Sequence, residues 1–213
     1  MQTLALIDYG SGNLRSAEKA LNEAARRRGV ATDIVVTADP DLVAKADRVF
    51  LPGVGAFASC RAGLDASGVY EAMNEAVHQR GAPFMGICVG HQLLATEGLE
   101  FGVTPGLDWI GGQVKKLQPS DPSLTIPHMG WNAIALSRAH ALFEGIENGA
   151  HMYYANSFAL DAADRADVVA TSDHGGAFVA AVAKGNVAGV QFHPEKSQAA
   201  GLTLLANFLE WRP

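Results

Sequence analysis

Over the first ninety residues, short apolar runs alternate with stretches in which apolar residues recur every three or four positions. Leu4 to Ile7 is such a run, and it ends at the turn Asp8-Tyr9-Gly10. Leu14, Ala17, Ala20, Leu21 and Ala24 then fall at helical spacing. That spacing predicts a helix capped by Asn13, reaching about Arg28 and stopped by Gly29. Asp33 to Val36 and Arg48 to Leu51 read as further strands, the latter closed by Pro52-Gly53. A helical stretch covers roughly Tyr70 to Gln79, and Pro83 to Ile87 reads as a buried strand. Cys88 then opens a helix containing Leu93 and Leu94. Repeated strand–helix units imply parallel strands with helices on both faces. Reactive groups of such sheets sit at the C-terminal strand ends, where Cys88 falls.

The second half has a different rhythm. Trp109 to Leu117, Trp131 to Leu136, Met152 to Phe158, Val168 to Ser172, Phe178 to Ala183 and Val187 to Phe192 are short strand-like pieces separated by Gly, Pro and Asp/Asn. They predict antiparallel strands added to the parallel sheet. Ser197 is placed to cap a last helix with Leu202, Leu205 and Leu209 along one face. There is no internal repeat, low-complexity tract or linker, so residues 1–213 are expected to form one α/β domain with three layers.

Composition narrows the function classes. With 48% hydrophobic and 18% charged residues the chain reads as an ordinary folded protein. A formal net charge of -6 argues against a broad nucleic-acid surface. The first apolar run is too short for a signal-peptide core, and no stretch approaches the roughly 20 apolar residues of a spanning helix. Two cysteines, Cys60 and Cys88, do not make a disulfide framework. The expectation is a cytoplasmic protein with reduced thiols and no membrane partner. His78, His140, His151 and His174 lack metal-ligand spacing, so neither a metal nor another cofactor is expected.

Three segments carry chemistry. Gly86-Ile87-Cys88-Val89-Gly90 has the form of a nucleophile elbow with Cys in place of Ser. Taken alone it fits a plain buried cysteine equally well. Read as an elbow, it puts Cys88 at a helix N-terminus, which favours a thiolate, and aims the Val89 N–H at an oxyanion. In Phe192-His193-Pro194-Glu195, extended geometry would project His193 and Glu195 to one side as a base and its orienter. By itself this reads first as a surface turn; a strand-end cysteine elsewhere changes the balance. Leu51-Pro52-Gly53-Val54-Gly55-Ala56-Phe57 lacks the Lys of a phosphate loop but could supply a second oxyanion donor.

These motifs resemble class I, triad-type glutamine amidotransferases in order and spacing along nearly the whole chain. Asp8 to Ser16, Pro105-Gly106-Leu107 and Pro127 to Asn132 are similar to the glutaminase subunit of imidazole glycerol phosphate synthase. The resemblance implies a flavodoxin-like fold. It implies that Cys88 attacks the carboxamide of L-glutamine to form a glutamyl thioester, that His193 shuttles the proton and that Glu195 holds His193. Backbone N–H groups of Val54 and Val89 would bind the oxyanion. Gly53, Gly55, Gln92, Glu100, Ser157 and Phe158 would hold glutamine. Ammonia would pass to a cyclase subunit, a (β/α)8 barrel in that family, across a surface that includes Asn13, His128, Met129, Trp131, Tyr153 and Lys196. There it would contribute to imidazole glycerol phosphate and the aminoimidazole carboxamide ribonucleotide.

Three positions depart from the family pattern: Asn156 where His is frequent, His91 where Met is common and Asp108 where Gly is usual. Cys60 has no matching role and is expected on a helix. The glutaminase of anthranilate or pyridoxal phosphate synthesis is a competing reading, and the Asp8-Tyr9-Gly10 and Pro127 to Asn132 motifs weigh against it. A triad-bearing module without turnover is another, and the intact triad weighs against that. Gly53 and Gly55 also leave open a backbone flip that would set the oxyanion site only when a partner docks.

Overall fold

The computed structural model covers residues 1–213. Its strands are β1 Gln2–Ile7, β2 Thr32–Thr37, β3 Arg48–Leu51, β4 Phe84–Ile87, β5 Glu97–Gly98, β6 Thr104–Pro105 and β7 Gly112–Lys116. They continue with β8 His128–Ala133, β9 Ala135–Leu136, β10 His151–Asn156, β11 Phe158–Ala162, β12 Val168–Asp173, β13 Ala177–Lys184 and β14 Val187–Val190. The helices are α1 Leu14–Arg28, α2 Pro40–Lys45, α3 Phe57–Ser67, α4 Tyr70–Asn74, α5 Val89–Gln92 and α6 Gln198–Glu210.

The main sheet has the order β2-β1-β3-β4-β14-β13-β12-β9. The strands from β2 to β14 are parallel, and β13, β12 and β9 continue the sheet antiparallel. The expected α/β class with an antiparallel extension is borne out. Strands β3, β4 and β14 are buried at every position, as continuous apolar strands covered on both faces must be. A smaller sheet, β11-β7-β5-β6, and the pair β10-β8 close over the C-terminal edge of the parallel strands. The order in which strands are added reverses at the β1/β3 boundary, which is where sheets of this order leave a crevice for ligands.

Local chemistry accounts for the element ends. Asn13 Oδ1 accepts from the Ser16 N–H at the start of α1, and Gly29 ends that helix at φ 70°. Arg48 lies fully buried in β3 and donates to Gln2 Oε1 and to the carbonyls of Phe208 and Trp211. Those carbonyls sit at the C-terminus of α6, so one buried cation ties the sheet to the last helix.

Several boundaries differ from the sequence reading. α2 and most of α3 were not anticipated. The Tyr70 to Gln79 segment changes winding, with a π-turn over Glu75–Gln79 after α4. α5 is one turn long, and Leu93 and Leu94 lie in the turn beyond it. Trp109 and Ile110 bend away because both N–H groups donate to the Leu94 carbonyl, so β7 begins only at Gly112. Met152 to Phe158 breaks at Ser157 into β10 and β11. β14 ends two residues before Phe192.

Candidate active site

Four loops meet at the C-terminal ends of the parallel strands: the ones after β1, β3, β4 and β14. Cys88 follows β4 with φ 54° and ψ -111°. A non-glycine residue there is strained and persists only where its surroundings fix it. The fixing contacts are the Cys88 N–H to the Val190 carbonyl at 2.9 Å and the Gln92 N–H to the Cys88 carbonyl at 3.0 Å. The flanking glycines are required by close approach. A Cβ on Gly90 would lie 2.0 Å from the Leu51 carbonyl oxygen, and one on Gly86 2.4 Å from that of Gly90. Because α5 is a single turn, what Cys88 meets is a short ring of N–H groups rather than a long helix dipole.

His193 and Glu195 reach the same place by a different route from the one expected. The strand has already ended, and Glu195 sits in a 3-10 turn, Pro194–Lys196, with His193 at its N-cap. Its His193 anchor is bonded on both sides: the His193 N–H donates to the Tyr153 carbonyl at 2.8 Å, and the Ser197 hydroxyl donates to the His193 carbonyl at 2.6 Å. Ser197 therefore does not cap α6 with its side chain, contrary to expectation; its oxygen also accepts the Tyr153 N–H. His193 Nδ1 and Glu195 Oε1 are 2.8 Å apart, with both side chains buried. Burial lowers the imidazole's proton affinity, but the adjacent Cys88 and Glu195 outweigh it and hold the pKa at about 9.

The Pro52–Gly55 loop holds its backbone the wrong way round for an oxyanion site. The Val89 N–H donates to the Gly53 carbonyl at 3.3 Å. The Val54 N–H donates to Ser11 Oγ at 3.1 Å, and the Ser11 hydroxyl returns a bond to the Val54 carbonyl at 2.8 Å. Cys60 Sγ, on α3, lies 3.3 Å from the same carbonyl and 3.2 Å from Ser11 Oγ. Tyr9 Oη donates to the Pro52 carbonyl at 2.7 Å. Burial pushes both the Tyr9 phenol and the Cys60 thiol up, so both stay neutral. Both expected oxyanion donors, Val54 and Val89, are thus engaged elsewhere. Ser11, Tyr9 and Cys60 had no role in the sequence reading, and no spacing rule would have linked them to residue 54.

A cavity of about 310 Å³ opens beside Cys88. Gly55, Gln92, Glu100, Ser157 and Phe158 line it with Val54, Val89 and His193, and Lys196 stands at it too. Gly53 does not line it; with Asn13, His193 and Glu195 it borders a narrow neighbouring crevice. Gln92 Nε2 donates to the Phe158 carbonyl and to Gln191 Oε1, both at 2.9 Å. The Glu100 carboxylate accepts the Phe57 N–H at the start of α3. Asn156 borders the cavity, with Nδ2 on the Phe158 carbonyl and a buried Oδ1 that has no partner. Asp108 has φ 58°, the conformation that makes glycine usual there, and its carboxylate accepts the Thr96 hydroxyl at 2.6 Å.

The residues expected at a partner surface divide. Met129 and Trp131 are exposed large apolar side chains on β8. Trp131 packs edge-on to Tyr153 and the Lys196 ammonium lies over the Tyr153 ring, so these three form one patch beside the catalytic turn. Asn13 is exposed at the start of α1. His128 is a correction: it is buried, stacked between Tyr154 and His174, and cannot meet a partner. The period of two along β8 turns it inward while Met129 faces out.

A model of the glutamine amidotransferase class-I family matches residues 5–211. The chain belongs to that family. Among curated proteins, imidazole glycerol phosphate synthase subunit HisH of Caulobacter vibrioides is 84% identical, covering 100% of both chains. The HisH subunit of Rhodospirillum rubrum is 57% identical over 99% of each. A crystal structure of a glutamine amidotransferase with 18% identity superposes with a TM-score of 0.69, covering 97% of both chains. In a class-I amidotransferase, a buried thiol beside an imidazole–carboxylate pair suits amide attack through a covalent acyl intermediate.

Proposed function

We propose that the chain is the glutaminase subunit of an imidazole glycerol phosphate synthase in the cytoplasm, working with a (β/α)8-barrel cyclase subunit. The observation that carries this reading is Cys88 on its strained elbow, beside the buried His193–Glu195 pair at a cavity of about 310 Å³. The names of the 84% and 57% identical relatives supply the synthase.

In this reading glutamine enters the cavity past Glu100 and Ser157. Cys88 Sγ attacks the carboxamide carbon, His193 passes a proton to the departing ammonia, and the glutamyl thioester remains. His193 then takes a proton from water, which attacks the thioester and releases glutamate. Glu195 accepts from Nδ1 and so directs Nε2 toward the reacting atoms. The Gly53–Val54 peptide must turn before the tetrahedral oxyanion finds two N–H donors. The patch of exposed Met129, Trp131 and Lys196 around half-buried Tyr153 would seat the cyclase, which receives the ammonia.

The deciding experiment is a glutaminase assay with and without the cyclase subunit and its nucleotide ligand. Low activity alone and a large rise on addition are expected. High activity alone, indifferent to the partner, would remove the channelling reading.

A further inference from the structure

Gln191 follows β14 and is fully buried. It opens the segment that carries His193 and Glu195, yet the chemistry described so far makes no use of its side chain. Its carboxamide touches two groups of the site. Oε1 accepts from Gln92 Nε2 at 2.9 Å, and Nε2 donates to Cys88 Sγ at 3.8 Å, within reach for a large acceptor such as sulfur.

The orientation of that carboxamide is forced. The Phe158 carbonyl can only accept, so Gln92 must turn its amide nitrogen toward it. The second hydrogen on that nitrogen points at Gln191, which has to answer with oxygen. The Gln191 nitrogen is then left facing Cys88. Asn156 Nδ2 donates to the same Phe158 carbonyl at 3.0 Å and fills its remaining lone pair. One backbone oxygen in β11 therefore sets the direction of two buried amides in turn. The Gln191 backbone is held as well, its N–H donating to the Ala180 carbonyl at 2.9 Å.

We infer that Gln191 is a dedicated hydrogen-bond donor to the Cys88 thiolate, aimed through Gln92 by the Phe158 carbonyl. The inference rests on Cys88 being the nucleophile. A buried N–H aimed at sulfur can donate to it, and a thiolate is a stronger acceptor than a thiol. None of these contacts involves the Pro52–Gly55 loop. Gln191 thus prepares the nucleophile while the oxyanion donors are still engaged elsewhere, and loop movement adds the second half of the site.

Alkylation tests this directly, because it needs a thiolate but no oxyanion site. The full chain is treated with iodoacetamide from pH 5 to 10, and labelling of Cys88 is followed by mass spectrometry. Gln191→Met removes the donor at similar volume. Gln191→Glu keeps the shape and an acceptor for Gln92 but puts oxygen against sulfur, and it carries the test if the first variant fails to fold. Below neutral pH, Cys88 labelling is expected to slow by about 3- to 10-fold in Gln191→Met, as for one ordinary net hydrogen bond, and by more in Gln191→Glu. The whole rate–pH profile moves to higher pH, which a packing defect alone would not produce. Variant profiles that superpose on the wild type overturn the donor role and leave the glutaminase reading intact. Wild-type labelling at Cys60 ahead of Cys88 overturns both.

Discussion

Replacing Ser11 by alanine should raise the glutaminase rate of the isolated chain. The Gly53 carbonyl and the Val54 N–H belong to one peptide unit and point in opposite directions. In the structure the carbonyl occupies the Val89 N–H and the Val54 N–H is held by Ser11 Oγ. Half a turn of that single peptide would free Val89 and bring Val54 in beside it, supplying both oxyanion donors together. Ser11 opposes the turn with the bond it accepts from the Val54 N–H at 3.1 Å; its own bond to the Val54 carbonyl, at 2.8 Å, is made to the next peptide. A net hydrogen bond contributes ~0.5–1 kcal/mol at a partly exposed site, so losing it shifts the equilibrium by that amount. That corresponds to roughly 2- to 5-fold more of the turned state, and to the same rise in kcat if turning limits the isolated subunit. KM should change little, because Ser11 does not line the glutamine cavity. The assay is steady-state glutamate release without the cyclase. Ser11→Thr, which keeps the hydroxyl, should stay near wild type. A folded Ser11→Ala protein with an unchanged or lower rate would refute the idea that this side chain restrains the loop.

Three further outcomes follow from the geometry. Cys88→Ala should abolish glutamine-dependent synthesis by the complex and spare synthesis from added ammonia; loss of both in a rate assay would contradict the division of labour. His91 is fully buried, and burial pulls its pKa down to about 3. The unfolded chain therefore takes up a proton near pH 6.5 that the folded chain refuses, so this histidine costs stability progressively as pH falls from 6.5 toward 3. His91→Met should raise the unfolding free energy measured in urea by ~1–2 kcal/mol at pH 7 and by more at pH 5, and an equal gain at both would remove the titration argument. For His193 the sign is opposite: with a folded pKa of about 9, its contribution is complete below pH 6.5 and lost as pH rises through 9. Glu195→Gln should remove part of that contribution, so wild type and variant should differ more in urea at pH 6 than at pH 10.

The readable parts of this sequence are those decided locally. α1 is bounded by an Asn cap and a left-handed glycine, and both act within one turn of themselves. β3 and β4 are short, wholly apolar apart from Arg48 and closed by Pro52-Gly53 or the elbow. α3 was unreadable because its support is tertiary. Its Ala56 cap makes no side-chain bond, and Gly63 brings the helix so near Tyr9 that a Cβ would lie 2.8 Å from that residue's carbonyl oxygen. The His193–Glu195 pair was readable as a pair but not as a turn. Its geometry comes from Tyr153 and Ser197, and Tyr153 stands 40 positions before His193 in the chain. His128 shows the converse error: a motif residue was placed on a surface by resemblance, and strand alternation buried it.

The same distinction separates what the site is from what state it is in. Cys88, His193, Glu195 and Gln191 are held by backbone bonds, buried side chains and close glycine contacts, none of which can rearrange without disturbing the core. The Pro52–Gly55 loop is held at its tip by Ser11 and the Cys60 thiol, and its Val54 is 45% exposed. The strong restraints therefore lie on the nucleophile and the weak ones on the oxyanion donors. A docking protein can overcome one or two hydrogen bonds at an exposed loop; it could not assemble a strained elbow. That asymmetry assigns control to the Gly53–Val54 peptide. It also predicts low turnover by the chain alone despite a complete triad: Sγ and the imidazole are in place, but a tetrahedral intermediate formed on this backbone would meet the Gly53 carbonyl oxygen where it needs a hydrogen-bond donor.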